Sequence, residues 1–384
     1  MEIDTDVVPA ARPGTPAVRS WWYGIGARPT DEDLRLAARR YAVVVLNAWD
    51  LTELRRLRAL NPKVTVLVYK CLSSTRNYPG AVEGPKGERD ASLLPTGVGF
   101  HQARKEWFAV DGDGRRIEWN GYPKHWQMAV WNTDYQQAWA KRVVDEVVRD
   151  GWDGVLADND MHTLRWYSDK VVKGTGNRAG TDRLLREGLA GLLGRAGTAL
   201  RQANKVLVPN ISESHTTADR WTTHSRHGGG MEENFALRED NGVLTFAGTE
   251  FAELQRTAAA GDRWLLLLTK IGGRDAATVE RLGFATAALL AGPRTCWSPP
   301  SSGDYRRPGW SSWLELEAGA AREPAARGEN GVWTRRFDRA WVAVNPGRST
   351  VRVTPPRGMR RPDGQAVTGT LSLPGRDAVV LVPR

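Results

Sequence analysis

The sequence predicts an α/β protein: a closed (β/α)8 TIM barrel followed by a small C-terminal antiparallel β-sandwich domain. Three observations carry this. Eight short apolar runs rich in β-branched and aromatic residues recur between Trp22 and Ser298, each followed by polar or Gly/Asn/Asp residues and then by a helical segment. The runs are near-continuously apolar, as parallel strands buried on both faces must be. After about residue 321 the pattern turns to alternation broken by Pro and Gly, which suits antiparallel strands. An open dinucleotide-binding sheet is disfavoured, because no Gly-x-Gly-x-x-Gly turn follows the first run.

Residues 1–19 carry Pro9, Pro13 and Pro16 without hydrophobic periodicity and read as an extended arm. The barrel is expected over 20–320. Its strands are placed at Trp22–Gly26, Ala42–Asn47, Val64–Tyr69, Gly154–Asp158, Val206–Pro209, Gly230–Glu233, Trp264–Thr269 and Thr295–Ser298. The helices are placed at Asp31–Arg40, Leu51–Leu60, Asp134–Arg149, Asp182–Gln202, Thr216–Arg226, Thr249–Ala259, Ala276–Leu290 and Ser312–Ala320. Asp50 with Glu53 fits a capping box, and Thr30 with Asp33 an acidic version of one. The stretch from about 73 to 130 is too long for an ordinary connection and reads as a lid over the barrel mouth, holding Tyr78, Trp107, Phe108, Trp119, Tyr122, His125 and Trp126. The β-domain, 321–384, is expected to use Val332–Arg335, Arg339–Asn345, Thr350–Val353, Thr368–Leu373 and Ala378–Val382.

Composition bounds the function. At 41% hydrophobic and 26% charged, the chain is globular rather than disordered. No run approaches the roughly 18 apolar residues of a membrane helix, and residues 1–20 hold no secretory h-region. The compartment is left open: secreted or at the cell surface if a leader has been removed, otherwise cytoplasmic. Two cysteines, Cys71 and Cys296, cannot form a disulfide framework or a structural zinc site, and read as buried thiols. The net charge of +10 would attract polyanions, but the basic residues form no stripe, so nucleic acid is not expected as a partner. Tryptophan supplies 17 of the 32 aromatic residues; its flat ring stacks on sugar faces as well as filling cores. Nothing in the sequence sets the oligomeric state.

In a barrel, chemistry sits at the C-terminal ends of strands. Acids stand at three consecutive ends here: Asp158 and Asp160 after the fourth run, Glu213 after Asn210 in the fifth, and Glu232-Glu233 in the sixth. Backbones two strands apart are separated by roughly 10 Å, so inward carboxylates on the fourth and sixth can flank one bond. Glycoside hydrolysis needs that arrangement, with one carboxyl as nucleophile or base and the other as proton donor. The bland alternative is that strand-end acids cap the following helices. Metal is the rival use, since Asp158, Asp160 and Glu232 are hard oxygen ligands. With six histidines and no His-x-His or His-Glu-x-x-His pattern, neither catalytic zinc nor any other metal or cofactor is expected. His215, His224 and His227 read as surface or packing residues.

Trp152-Asp153-Gly154-Val155-Leu156-Ala157-Asp158-Asn159, preceded by Asn132-Thr133-Asp134-Tyr135 and Trp139, resembles the signature of barrel glycoside hydrolases in the glycoside hydrolase-like family 15 group and the endo-α-1,4-polygalactosaminidase family. In the latter a Glu-Glu-Cys-Phe segment follows on strand six; Glu232-Glu233-Asn234-Phe235 matches it except for Asn in place of Cys. The resemblance spans roughly residues 20–300. It implies Asp158 as the nucleophile-type carboxylate and Glu232 as the general acid/base, with retention. The interval of 74 positions between them is longer than that family leads one to expect, and Glu213 is the alternate acid. The C-terminal segment also resembles the β-sandwich that trails such barrels.

Tyr23, Asn47, Trp49, Tyr69 and Lys70, at the ends of strands one to three, are candidates for a sugar subsite beside Asp160, Asn210 and Glu233, with Lys270 and Trp297 on the opposite wall. The reading is a glycosidase acting on a polysaccharide or oligosaccharide. A non-catalytic carbohydrate-binding barrel and a metal-dependent polysaccharide hydrolase or deacetylase are the alternatives.

Overall fold

The computed structural model describes residues 17–78, 94–237, 243–272, 275–301 and 304–384. The expected arm therefore lies outside the described residues up to position 16, as does part of the lid, 79–93. Eight parallel strands close into a barrel in chain order: β1 (Arg19–Tyr23), β2 (Tyr41–Leu46), β3 (Thr65–Cys71), β4 (Gly154–Asp160), β5 (Val206–Ile211), β6 (Gly229–Glu232), β7 (Trp264–Leu268) and β8 (Thr295–Ser298). The barrel shuts where Arg19 pairs with Cys296.

Strand side chains alternate between two faces, and the core divides accordingly. Trp21, Tyr23, Val43, Val45, Leu67, Tyr69, Leu156, Val208, Met231, Leu266, Leu268 and Cys296 fill the barrel. Their neighbours Trp22, Val44, Leu46, Val66, Val68, Val155, Ala157 and Leu207 face the helices. This parity decides what each strand-end residue can reach.

The helices are α1 (Asp31–Arg40), α2 (Leu51–Leu60), α3 (Thr133–Asp150), α4 (Arg178–Gln202), α5 (Arg220–His224), α6 (Glu250–Ala260) and α7 (Ala276–Leu289). Thr30 and Asp33 form the expected capping box on α1. Asp50 makes no cap bond on α2; it turns back to accept from the backbone N–H and side-chain amide of Asn47, at 3.1 and 2.8 Å. The expected helix over 216–226 is cut to one short piece, α5, between 3-10 turns, because Asp219 at its start takes φ 61°. The expected helix over Ser312–Ala320 is only a 3-10 turn, Ser312–Glu315. Beyond it the carbonyls of Ala318 and Ala320 accept from Arg339 and Asp338, so the backbone pairs with the C-terminal sheet instead of coiling.

Within 73–130 the described residues pair Ser74–Arg76 with His125–Gln127 and bury a group of aromatic residues that includes Trp107, Phe108 and Trp119. The C-terminal strands are β9 (Ala326–Arg327), β10 (Trp333–Arg336), β11 (Trp341–Asn345), β12 (Val351–Val353), β13 (Met359–Arg360), β14 (Leu371–Leu373) and β15 (Asp377–Pro383). Five make an antiparallel sheet, ordered β9-β10-β11-β15-β13, and β12 pairs with β14. One face of the sheet, with Trp341, Ala343, Val379 and Leu381, packs toward that pair. The other, with Val342, Val344, Ala378 and Val380, packs on α7. As a result α7 is buried without a break from Leu282 to Leu289, and Arg281 ties it to the sheet through Asp377 at 2.6 Å. Among the described residues no helix is long and apolar enough to cross a membrane.

Candidate active site

The barrel opens at the C-terminal ends of its strands into a cavity of about 610 Å³. Counting in twos from the interior residues Leu156, Val208 and Met231 brings Asp158, Asn210 and Glu233 to the same inner face. There they meet. The Asn210 Nδ2 donates to Asp158 Oδ1 at 2.9 Å and to Glu233 Oε2 at 2.8 Å, so one amide nitrogen holds both carboxylates.

Asp158 is otherwise surrounded by donors. Tyr69 gives its hydroxyl proton to Oδ2 at 2.6 Å, and the Asn159 backbone N–H and side-chain amide donate at 2.9 and 3.0 Å. Burial and the nearby charge of Glu233 push the Asp158 carboxyl above the usual aspartate range, against the pull of these hydrogen bonds. Glu233 accepts from the Tyr305 hydroxyl at 2.6 Å and lies 3.5 Å from the Lys270 ammonium. Tyr23, against Tyr305 and Tyr69, floors the pocket. Burial, reinforced by the Asp158 charge, holds the hydroxyls of Tyr23 and Tyr69 well above the ordinary phenol range, so both remain protonated donors.

Glu232 points the other way. It is buried, accepts from the Asn234 backbone N–H at 3.0 Å, and shares a hydrogen bond with Glu250 at the start of α6. Burial, then the Glu232 charge, drives the Glu250 carboxyl far up. Both residues still border the cavity, as does Glu213 across the mouth, where Glu213 accepts from the exposed Trp166 at 3.4 Å.

Asp160 breaks the parity rule for a visible reason. Between Ala157 and Asp160, β4 carries one residue more than β5, a bulge centred on Asn159 at φ 65°. The bulge turns Asp160 out of the barrel, away from its expected substrate role, into a buried ion pair with Arg220 at 3.1 Å and a hydrogen bond with His224 at 2.6 Å. Burial alone would raise its pKa; the Arg220 charge and the His224 contact outweigh it and hold the carboxyl below the usual range.

The structure thus brings Tyr23, Tyr69, Asp158, Asn210, Glu213, Glu232, Glu233 and Lys270 to the cavity. It does not bring Asn47, Trp49, Lys70, Asp160 or Trp297 there. Asn47 is tied to Asp50. Trp49, one residue short of α2, is absent from the lining. Lys70 has the parity opposite to Tyr69 and is sealed against α3, bonded to Glu146 at 2.8 Å and to the Leu94 carbonyl at 2.7 Å. Burial pushes Glu146 up to about 7 and Lys70 down. Trp297 faces α7, its indole N–H on Thr269 and its ring 5.9 Å from Phe284. Lys70, Asp160 and Trp297 look outward, and Asn47 is held in the turn before α2.

Sequence reasoning missed the lining residues Arg76, Asn159, Trp166, Tyr167, Glu250 and Tyr305, together with the placement of Trp119, Tyr122 and His125. Trp119 and Tyr167 stack at 4.0 Å, and Tyr167 donates to Asn159 at 2.8 Å. Asn159 was legible as the residue following a strand-end acid; Tyr167 and Tyr305 stand in loops that no periodicity marks.

Among the described residues no three His, Cys, Asp or Glu side chains converge on a metal site. The closed eight-stranded barrel with acidic residues at its C-terminal mouth places the chain among the TIM-barrel proteins, whose chemistry sits at that face. The sequence profile described as "Hypothetical glycosyl hydrolase family 15" matches residues 58–341, and the chain belongs to that family. No curated protein sequence matches it. Solved structures similar to it include the cycloalternan-forming enzyme from Listeria monocytogenes in complex with a pentasaccharide substrate (11% identity, TM-score 0.46, 99% of this chain but 42% of that one). Others are the α-amylase from Geobacillus thermoleovorans complexed with acarbose (11%, 0.45, 97% and 99%) and the Nostoc punctiforme debranching enzyme (10%, 0.46, 97% and 100%). This chain spans less than half the length of the first of these.

Proposed function

We propose that this glycosyl hydrolase family member cleaves a glycosidic bond of an oligosaccharide or polysaccharide with retention, using Asp158 as nucleophile and Glu233, in preference to Glu232, as acid/base. The observation that carries the reading is the shared Asn210 amide. Both carboxylates bond to one nitrogen, so their nearest oxygens are less than about 6 Å apart, in keeping with the short separation of retaining pairs.

Asp158 takes the nucleophile role that the resemblance implies, and Glu233 the acid/base role, because it shares the Asn210 amide with Asp158. Asp158 then attacks the anomeric carbon while Glu233 gives its proton to the glycosidic oxygen, and the leaving sugar departs as an alcohol. In the second half Glu233 takes a proton from water, whose oxygen displaces Asp158 and frees the first sugar. Trp166 and Tyr122, exposed at the mouth, offer faces on which rings of a longer chain can stack.

The test is reducing-end release from neutral, amino and uronic-acid glycans by wild type, Asp158→Asn and Glu233→Gln, with the anomer formed first read by proton NMR. Release by wild type alone with retained configuration supports the reading. An inverted first product would overturn the nucleophile role, and silence on every glycan would shift weight to a non-catalytic carbohydrate-binding barrel.

A further inference from the structure

The wall formed by the paired strands Ser74–Arg76 and His125–Gln127 carries a cation that the proposed hydrolysis does not use. Arg76 ends the strand Ser74–Arg76, pairs with His125 and lines the cavity. Its contacts are weak: one terminal nitrogen donates to the Tyr78 hydroxyl at 3.5 Å and the other to the Tyr69 hydroxyl at 3.3 Å. Its Nε is buried and makes no hydrogen bond. No carboxylate is paired with this guanidinium among the described residues, although a sunken arginine ordinarily requires one. The other Lys or Arg that lines the cavity, Lys270, has Glu233. Around Arg76 stand rings instead, with Tyr69, Tyr122, His125 and the stacked Trp119 and Tyr167 lining the same cavity.

We infer that this wall is a subsite for an acidic sugar, its ring lying against the aromatic residues and its anionic substituent, a carboxylate or sulfate ester, completing the Arg76 fork. A planar guanidinium with an idle Nε is built to grip two oxygens at once. The inference rests on the glycosidase reading of the neighbouring carboxyl pair and narrows its substrate class. The carboxylate of Glu213, which also lines the cavity, would repel the same substituent.

Binding separates this claim from the chemistry. Uronic-acid oligomers and sulfated galactan oligomers are titrated calorimetrically into Asp158→Asn, each beside its carboxyl-reduced or desulfated counterpart. The acidic member is expected to bind about tenfold or more tightly, as a charge-assisted bond warrants. Adding Arg76→Gln should erase the difference, and Arg76→Lys should keep part of it by preserving the charge without the fork. Equal binding of acidic and neutral members, or no binding of any acidic one, overturns the inference even if wild type hydrolyses neutral glycans. So does an Arg76→Gln effect that falls alike on kcat for acidic and neutral substrates and moves the pH profile, which would make Arg76 a positioning residue for Tyr69. Acidic binding without bond cleavage by wild type would keep the subsite and remove the hydrolase reading. Melting temperatures equal to the parent's establish that the variants are folded.

Discussion

Glu232 and Glu233 are joined by one peptide bond at the end of β6, and the barrel gives them opposite surroundings. Glu233 looks inward to Asn210, Tyr305 and Lys270, one amide away from Asp158; Glu232 looks outward to Glu250. Tyr69 and Lys70 repeat the contrast on β3, the phenol on Asp158 and the ammonium locked to Glu146. The difference teaches that at a strand end, residue type marks a candidate and parity decides its partner.

The strongest way to break the comparison is to neutralise each acid in turn. Asp158→Asn and Glu233→Gln should each lower kcat on a natural glycan by about 10³-fold or more, whereas Glu232→Gln should cost about tenfold or less. If Glu232→Gln proves the more damaging of the two glutamate variants in steady-state assays, the inner pair is wrongly assigned. On the outer face the expected loss is of stability. Lys70→Met strands Glu146 in the wall and should cost about 3–5 kcal/mol in urea unfolding, most of it regained in Lys70→Met/Glu146→Leu. A KM change in that double variant larger than its stability loss would return Lys70 to the substrate site.

Removing the bridge is milder. Asn210→Ala takes one charge-assisted hydrogen bond from each inner carboxylate and should lower kcat/KM by about ten- to a hundredfold at constant melting temperature. The smallest effect is the most diagnostic. Because burial and the Glu233 charge raise the Asp158 pKa, wild-type activity should fall away on the acidic side above the ordinary aspartate value as the nucleophile takes up a proton. Glu233→Gln deletes the like charge, so its acidic limb, followed on an aryl glycoside whose leaving group needs no acid, should move to lower pH. The same limb in Glu232→Gln should stay where it is; equal movement in both would mean the two pairs titrate as one cluster.

The barrel was legible because every one of its strands is a short apolar run, and parallel strands buried on both faces leave little else to read. Asp158, Asn210 and Tyr69 were legible because each ends such a run. The resemblance named Glu232 as the acid and left Glu233 to the subsite, whereas counting from Met231, an interior residue, turns Glu233 inward. Asp160 resisted the same count, since a bulge with Asn159 in the left-handed region adds one residue that no apolar pattern announces. The 312–320 segment has helical spacing, yet its carbonyls are taken by the C-terminal sheet. Arg76 and Tyr305 come from loops whose position over the mouth is set by tertiary packing alone.

The unbroken burial of α7 has a practical side. Its Phe284, Ala285, Ala287, Ala288 and Leu289 are covered between the barrel and the C-terminal sheet, and Arg335 of β10 donates to the carbonyls of Leu289 and Ala291 at 2.7 and 3.0 Å. A polypeptide trimmed after the eighth strand and its turn would present that flank to water as a sticky band. The trailing sheet is therefore a fixed cladding of the barrel, and grafting the mouth onto another protein would mean carrying the cladding with it.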